Sequence, residues 1–251
     1  DITDESAVND FVGQSAPDWI INCAAYNFVD KAETEEEKAF LVNSIAVRNL
    51  AGALRNTDGR LIHVSTDYVF DGAANTPYNE NSGVNPLSVY ARSKRAGEEN
   101  ALTHPYSMVI RTSWLYSSFG NNFVKTILKH AAEKEFLKVV FDQVGTPTYA
   151  ADLASAIMTI AARVIRNQKA FNPGIYHYSN EGVCSWYDFA IEIVSLSGLD
   201  CRVIPIRSDE FPSKVKRPSY SVLDKSKIKE NYDLEIPYWK DSLRKCINLL
   251  R

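Results

Sequence analysis

The sequence predicts an α/β fold, a doubly wound parallel sheet followed by a smaller C-terminal lobe. Three observations carry that expectation. Short apolar runs at residues 19–24, 61–64, 108–110 and 137–141 alternate with segments of helical periodicity. Each run holds at most one polar residue and is not apolar only at every second position, the pattern of a strand covered on both faces. Past Pro147 the alternation loosens, and prolines at 205, 212, 218 and 237 interrupt it. Helices on both faces of a parallel sheet are the packing that such alternation produces.

Taken in order, Thr3 is expected to cap a helix that runs to about Gln14 and breaks at Ala16-Pro17-Asp18. After the strand at 19–24 comes a long helix over 35–55, with Phe40, Leu41, Ile45, Val47, Leu50 and Leu54 as its apolar positions. The acidic run Glu33 to Glu37 reads as its solvated first turn, where carboxylates suit the helix dipole. The strand at 61–64 leads to a loop over 71–86 rich in Asp, Gly, Asn and Pro. Asn85-Pro86 is expected to start the next helix, since Asn accepts from free N–H groups and Pro fits the first helical position. Strands at 108–110, 137–141 and 174–178 and helices at 122–133, 151–166 and 185–197 complete the reading. The first unit spans 1–145; the lobe over 146–251 sends some elements back to the main sheet. No internal repeat is visible.

A chain of 251 residues with 45% hydrophobic content can bury a sizeable core. Its net charge of −3 gives no general attraction to nucleic acid or an anionic membrane. No apolar run reaches the roughly 18 residues of a membrane span, and no signal peptide is visible, so a cytoplasmic location is expected. Cys23, Cys184, Cys201 and Cys246 form no C-x-x-C pair and are expected to be reduced and buried. The four histidines lack zinc-site spacing, so no metal is expected.

Chemistry concentrates in two places. Tyr90 and Lys94 are four residues apart, which puts them on one helix face about 5–6 Å apart at Cβ. An ammonium beside a phenol is expected to lower its pKa, and such a Tyr can protonate a carbonyl oxygen while hydride reaches the carbon. Taken alone, the pair also fits an ordinary helix surface. Ser65, Thr66 and Asp67 follow a buried strand directly, where ligands of doubly wound sheets sit. A Thr hydroxyl there can donate to the same carbonyl oxygen; the alternative is that Ser and Asp satisfy local turn N–H groups.

Seven blocks occur in order: Asn22-Cys23-Ala24-Ala25-Tyr26, Val29-Asp30-Lys31-Ala32-Glu33, Ser65-Thr66-Asp67-Tyr68-Val69-Phe70-Asp71-Gly72, Tyr90-Ala91-Arg92-Ser93-Lys94, Arg111-Thr112-Ser113-Trp114-Leu115-Tyr116, Gly120-Asn121-Asn122-Phe123 and Asp142-Gln143-Val144-Gly145-Thr146-Pro147-Thr148. Gly174-Ile175-Tyr176-His177 and Arg217-Pro218, with Ser221 and Leu223, continue the series. Together they resemble the dTDP-4-dehydrorhamnose reductases of the extended short-chain dehydrogenase/reductase superfamily, over nearly the whole chain.

The resemblance implies a Rossmann-like dinucleotide-binding domain over 1–145 and a mainly substrate-binding lobe over 146–251. It implies NADPH or NADH as cofactor and reduction of the 4-keto group of a dTDP-6-deoxy sugar to dTDP-L-rhamnose. Tyr90 would be the general acid, Lys94 its partner and ribose anchor, and Thr66 the third catalytic member. Asp1 and Ile2 would meet the adenine end of the cofactor; Ala24, Ala25, Tyr26, Asn27 and Ser65 would line it. Thr66, Asp67 and Trp114 would contact the nucleotide sugar. Arg217 would meet its diphosphate, since a planar fork suits phosphate oxygens. A buried core indole at 114 and a surface cation at 217 are the alternatives. The resemblance also admits a homodimer.

Two other readings stay open. One is a non-catalytic dinucleotide-binding subunit similar to the regulatory β subunit of methionine adenosyltransferase; the other is a different nucleotide-sugar reductase or epimerase. Dehydratases of the superfamily resemble Thr-Asp-Glu after the strand, and Thr66-Asp67-Tyr68 lacks that Glu. The family also opens with a strand, a Gly-rich turn and a helix that holds pyrophosphate. Here the first glycine, Gly13, lies inside a helical pattern. The expectation is that roughly 30 or more residues precede this sequence and carry the choice between NADH and NADPH.

Overall fold

The computed structural model describes residues 1–212 and 215–251. Asp4, not Thr3, caps α1 (Glu5–Ser15), accepting from the Ala7 N–H at 3.0 Å. Thr3 turns back on Asp1, its N–H and hydroxyl each 2.9 Å from that carboxylate. β1 (Trp19–Asn22) and the single turn α2 (Val29–Ala32) follow.

The long helix expected next is divided. α3 (Glu36–Phe40) and α4 (Ala46–Ala53) are joined by a π-helical stretch, Leu41–Ile45. Its wider turn rotates the faces, so Asn43 and Ser44 are buried, whereas Leu41 and Ile45, expected inside, stand at the surface. The acidic run is not simply solvated either. Glu33 accepts from the Val89 N–H at 2.8 Å, and Glu35 from the Tyr26 hydroxyl at 2.8 Å.

β2 (Arg60–Thr66) precedes α5 (Val89–Ala101), which does not start at Asn85-Pro86. Ser88 caps it, accepting from the Ala91 N–H at 3.1 Å, while Asn85 donates to the Asp71 carboxylate. Where α5 crosses the π-helical stretch the backbones nearly touch. A Cβ at Gly97 would lie 2.0 Å from the Asn43 carbonyl oxygen. We expect Gly97→Ala to lower stability by about 1–3 kcal/mol through overpacking, measured as a lower midpoint in thermal or denaturant unfolding.

Beyond α5 come β3 (Ser107–Thr112), β4 (Leu115–Tyr116), α6 (Phe123–Glu133), β5 (Phe136–Val140), β6 (Val144–Gly145) and β7 (Thr148–Tyr149). They are followed by α7 (Ala150–Ile165), β8 (Gly174–His177), β9 (Cys184–Ser185) and α8 (Trp186–Ser197). The stretch that reads as irregular contains β10 (Arg202–Ile206) and α9 (Ser226–Tyr232), and α10 (Trp239–Asn248) comes after it.

The main sheet is parallel and four-stranded, in the order β1-β2-β3-β8. Its central strands explain their apolar runs. Leu61 and Val109 pack with Val8, Val47, Leu50 and Leu54 from α1 and the α4 region. Their chain neighbours Ile62, Met108 and Ile110 pack on the opposite face with Leu153, Ile157 and Ile160 from α7 and Ile228 from α9. Among the described residues β1 pairs with β2, and its Ile21 is 39% exposed.

The run at 137–141 is also corrected. β5 lies outside the main sheet and pairs in parallel with β10. Buried Leu137 and Val139 alternate with exposed Phe136 and Lys138, so only one face is covered, by a core that includes Val124, Ile127, Phe189, Ile193 and Leu243. Cys184, Cys201 and Cys246 are buried free thiols, but Cys23 is exposed. Among the described residues no helix is long and apolar enough to cross a membrane, and no group of His, Cys, Asp and Glu could hold a metal ion.

Candidate active site

All strands of a parallel sheet end at one edge, where the loops diverge and leave a crevice. Here that edge opens into a cleft of about 440 Å³ whose walls include Thr66, Asp67, Tyr90, Lys94, Thr112 and Trp114. Thr66 ends β2 in extended backbone; its hydroxyl accepts from the Tyr68 N–H at 3.2 Å and lies 3.1 Å from Asp67 Oδ1, to which it donates. Tyr90, brought over from α5, lines the same cleft as Thr66. The Tyr90 ring meets Tyr68 edge-on at 5.7 Å.

Lys94 lies one turn along the helix and is 2% exposed. Its Nζ donates to the Val64 carbonyl at 2.7 Å. Burial pushes this ammonium down to about 8, partly opposed by the Glu98 carboxylate and the Cys23 thiol. The expected lowering of the Tyr90 phenol is overturned. Burial pushes it up to about 12, with the Thr66 hydroxyl pulling down and the Asp67 charge pushing further up. Loss of water around a would-be phenolate outweighs any help from Lys94. Asp67 is likewise pushed up to about 7 by burial, against the Ser221 and Thr66 hydroxyls and the N–H groups at 67 and 68.

The segment after β1 alternates sides as extended chain does. Cys23, Ala25 and Asn27 line the cleft, whereas Ala24 and Tyr26, also expected there, do not. Tyr26 turns away, its N–H on Asn43 at 2.7 Å and its hydroxyl on Glu35. Ser65 lies at the cleft, but its hydroxyl is already bonded to Glu98 Oε1 at 2.7 Å. Asp1 and Ile2 are not brought to the cleft; Asp1 is held by Thr3, and the Ile2 carbonyl accepts from Asn49 at 3.2 Å.

Trp114 is no fully buried core indole. At φ +49° it sits in left-handed backbone, half-buried on the cleft wall, stacked on Trp186 at 3.6 Å. Arg217 does not line the cleft; it reaches Asp30 Oδ2 at 3.3 Å.

Sequence reasoning missed Cys23, Thr112, Trp186 and Glu98. Glu98 could have been found, because it repeats the Tyr90–Lys94 interval once more on the same helix; Trp186 carries no signal. Thr112 Oγ1 is buried beside the cleft with no partner among the described residues. A buried hydroxyl left unpaired at a crevice fits a pocket that receives polar groups of a ligand, and the buried ammonium of Lys94 nearby fits ribose hydroxyls. The residues present thus suit a bound nicotinamide dinucleotide.

A Rossmann-like sheet whose edge gathers Thr, Tyr and Lys into one crevice defines the short-chain dehydrogenase/reductase class. The sequence profile of the family described as RmlD substrate binding domain matches residues 1–251, and the chain belongs to that family, which includes the dTDP-4-dehydrorhamnose reductases. It is 41% identical to the dTDP-4-dehydrorhamnose reductase of Sinorhizobium fredii, across 98% of this chain and 85% of that protein. A solved dTDP-4-dehydrorhamnose reductase from Clostridium acetobutylicum superposes with a TM-score of 0.92 at 43% identity, covering 100% of this chain and 87% of that one. Another from Bacillus anthracis, solved in complex with NADP, gives 0.92 at 39% identity, with 99% and 86% covered.

Proposed function

We propose that this protein reduces the 4-keto group of a dTDP-linked 6-deoxy sugar, using NADPH, to give dTDP-L-rhamnose. The observation that carries this reading is the convergence of Thr66, Tyr90 and Lys94 on one cleft at the edge of the parallel sheet. Bound in this cleft, the reduced nicotinamide supplies hydride. Thr66 turns its hydroxyl hydrogen from Asp67 to the carbonyl oxygen and fixes its direction. Tyr90 gives that oxygen its proton, a role suited to a phenol held protonated near neutral pH. Lys94 holds ribose hydroxyls and, while protonated, balances the negative charge left on Tyr90 once its proton has gone to the substrate oxygen.

In the same reading, Asp67 and Trp114 receive the sugar nucleotide. The Trp114–Trp186 stack offers a flat apolar wall, and Arg217 turns to the diphosphate. Residues 1–145 hold the cofactor and 146–251 most of the substrate. A cytoplasmic location, where an exposed thiol such as Cys23 stays reduced, and assembly as a homodimer belong to the reading as well.

The test is consumption of NADPH or NADH by the purified full-length protein, followed at 340 nm with and without the 4-keto sugar nucleotide. Oxidation is expected only when the sugar is present. Cofactor binding without turnover of any 4-keto sugar would overturn the proposal in favour of a regulatory subunit.

A further inference from the structure

We infer that Glu98, acting through the Ser65 hydroxyl, is the positioning residue that sets Tyr90 against Thr66. The inference rests on the reductase reading of the cleft and adds two residues to it.

Tyr90, Lys94 and Glu98 recur at four-residue intervals, so one face of α5 presents them in line. The first two reach the cleft; Glu98 lies deeper and is fully buried. Its carboxylate meets four donors. Oε1 accepts from Ser65 Oγ at 2.7 Å and Arg111 Nε at 2.8 Å. Oε2 accepts from Arg111 at 2.7 Å and Arg95 at 2.9 Å. Ser65 and Arg111 are partners across the β2–β3 ladder, and the next rung is Thr66 with Thr112. The carboxylate therefore ties the helix to two adjacent strands at the cleft, one residue before Thr66 and Thr112.

The geometry of that tie is stiff. From Ser65 to Thr66 is a single peptide link, about 3.8 Å between Cα atoms. From Glu98 back to Tyr90 is about 12 Å of regular helix. The bidentate Arg111 fork fixes the plane of the carboxylate. With both arms rigid, the Ser65–Glu98 bond sets how closely the Tyr90 helix approaches the Thr66 strand. An apolar contact there would hold the elements together without fixing their register along each other.

Removing Glu98 would strand Arg111 in the core, so its own variant is a poor test. Ser65→Ala is milder: it deletes the link to β2 and leaves Glu98 three donors and its charge. In the full-length protein we expect Ser65→Ala to lower kcat about tenfold, as for a small misplacement of reacting groups. The cofactor Kd should stay as in the wild type, and the thermal midpoint should fall by only a few degrees, the cost of one buried hydrogen bond to a charged group. In a Tyr90→Phe background the same change should cost nothing more, because the group it positions is gone. A merely structural role would not produce that coupling.

Three results would overturn the inference: an unchanged kcat, a loss that persists undiminished in the Tyr90→Phe background, or a loss confined to the cofactor Kd. The last would restore Ser65 to direct cofactor contact. A wild type without turnover removes the reductase reading beneath it, whereas turnover that is indifferent to Ser65→Ala removes this inference alone.

Discussion

Tyr90→Phe is expected to lower turnover about 10²-fold or more while leaving cofactor binding intact, since a positioned general acid contributes that much. The substitution deletes one oxygen and keeps the ring. The ring packs edge-on to Tyr68 and within a cluster that includes Tyr26, Ala32, Ala39 and Val89. The phenol lies near 12 because burial disfavours the phenolate, so it is protonated when the substrate arrives. Without it the developing alkoxide keeps the Thr66 hydroxyl but has no proton donor beside it. Single-turnover oxidation of NADPH measures the chemical step, and a fluorescence titration with the cofactor measures binding. An unaltered rate would remove Tyr90 from its role. A collapse of cofactor affinity would make it a binding residue.

Arg111→Met is expected to destabilise the fold by about 3 kcal/mol, the cost of taking the bidentate partner from a buried carboxylate that keeps only Arg95 as a cation. Arg111 is 1% exposed and lies over Phe70 at 5.1 Å, and its guanidinium is bidentate on Glu98. At a few degrees per kcal/mol in a chain of this size, the thermal midpoint should fall on the order of 10 °C. In the variant the Glu98 carboxyl keeps only Arg95 and Ser65, so its burial is less fully opposed and its folded pKa moves up from the wild-type value. The folded variant then takes up its proton at a higher pH than the wild type, and the deficit should shrink as pH falls toward that pKa. Replacing both partners, Glu98→Leu with Arg111→Met, should recover much of the midpoint, because no charge is then left buried. A single variant as stable as the wild type would show that the pair contributes nothing measurable.

Much of the main sheet could be read from order along the chain. Leu61-Ile62 and Met108-Val109-Ile110 are apolar in sequence because neighbouring residues face opposite layers of helices. The helix at 89–101 was legible through its Tyr90–Lys94 interval, although its cap lies three residues beyond the expected Asn85. A cap depends on which side chain is left free, and Asn85 is drawn off by Asp71. β5 misled because a five-residue apolar run does not say whether one face or two are covered. Its Lys138, exposed between buried Leu137 and Val139, was the local clue to a single covered face.

Thr66, Asp67, Tyr90, Lys94 and Trp114 share one cleft, whereas Arg217, Asp1, Ile2, Ala24 and Tyr26 are not among the residues on its walls. Arg217 meets Asp30 from 187 residues away, and no local pattern announces such a pairing.

The sequence by itself determined the alternation of strand and helix, the shared helix face of Tyr90 and Lys94, and the polar residues that end β2. Each follows from a repeat of two or of 3.6 residues along a single element. Only the tertiary structure decided that the Tyr90 phenol rises instead of falling, that Lys94 turns to the Val64 carbonyl, and that Ser65 belongs to Glu98. Those outcomes depend on how much water each group loses and on which partner the packing of distant segments brings within reach, and both quantities exist only once the elements have assembled.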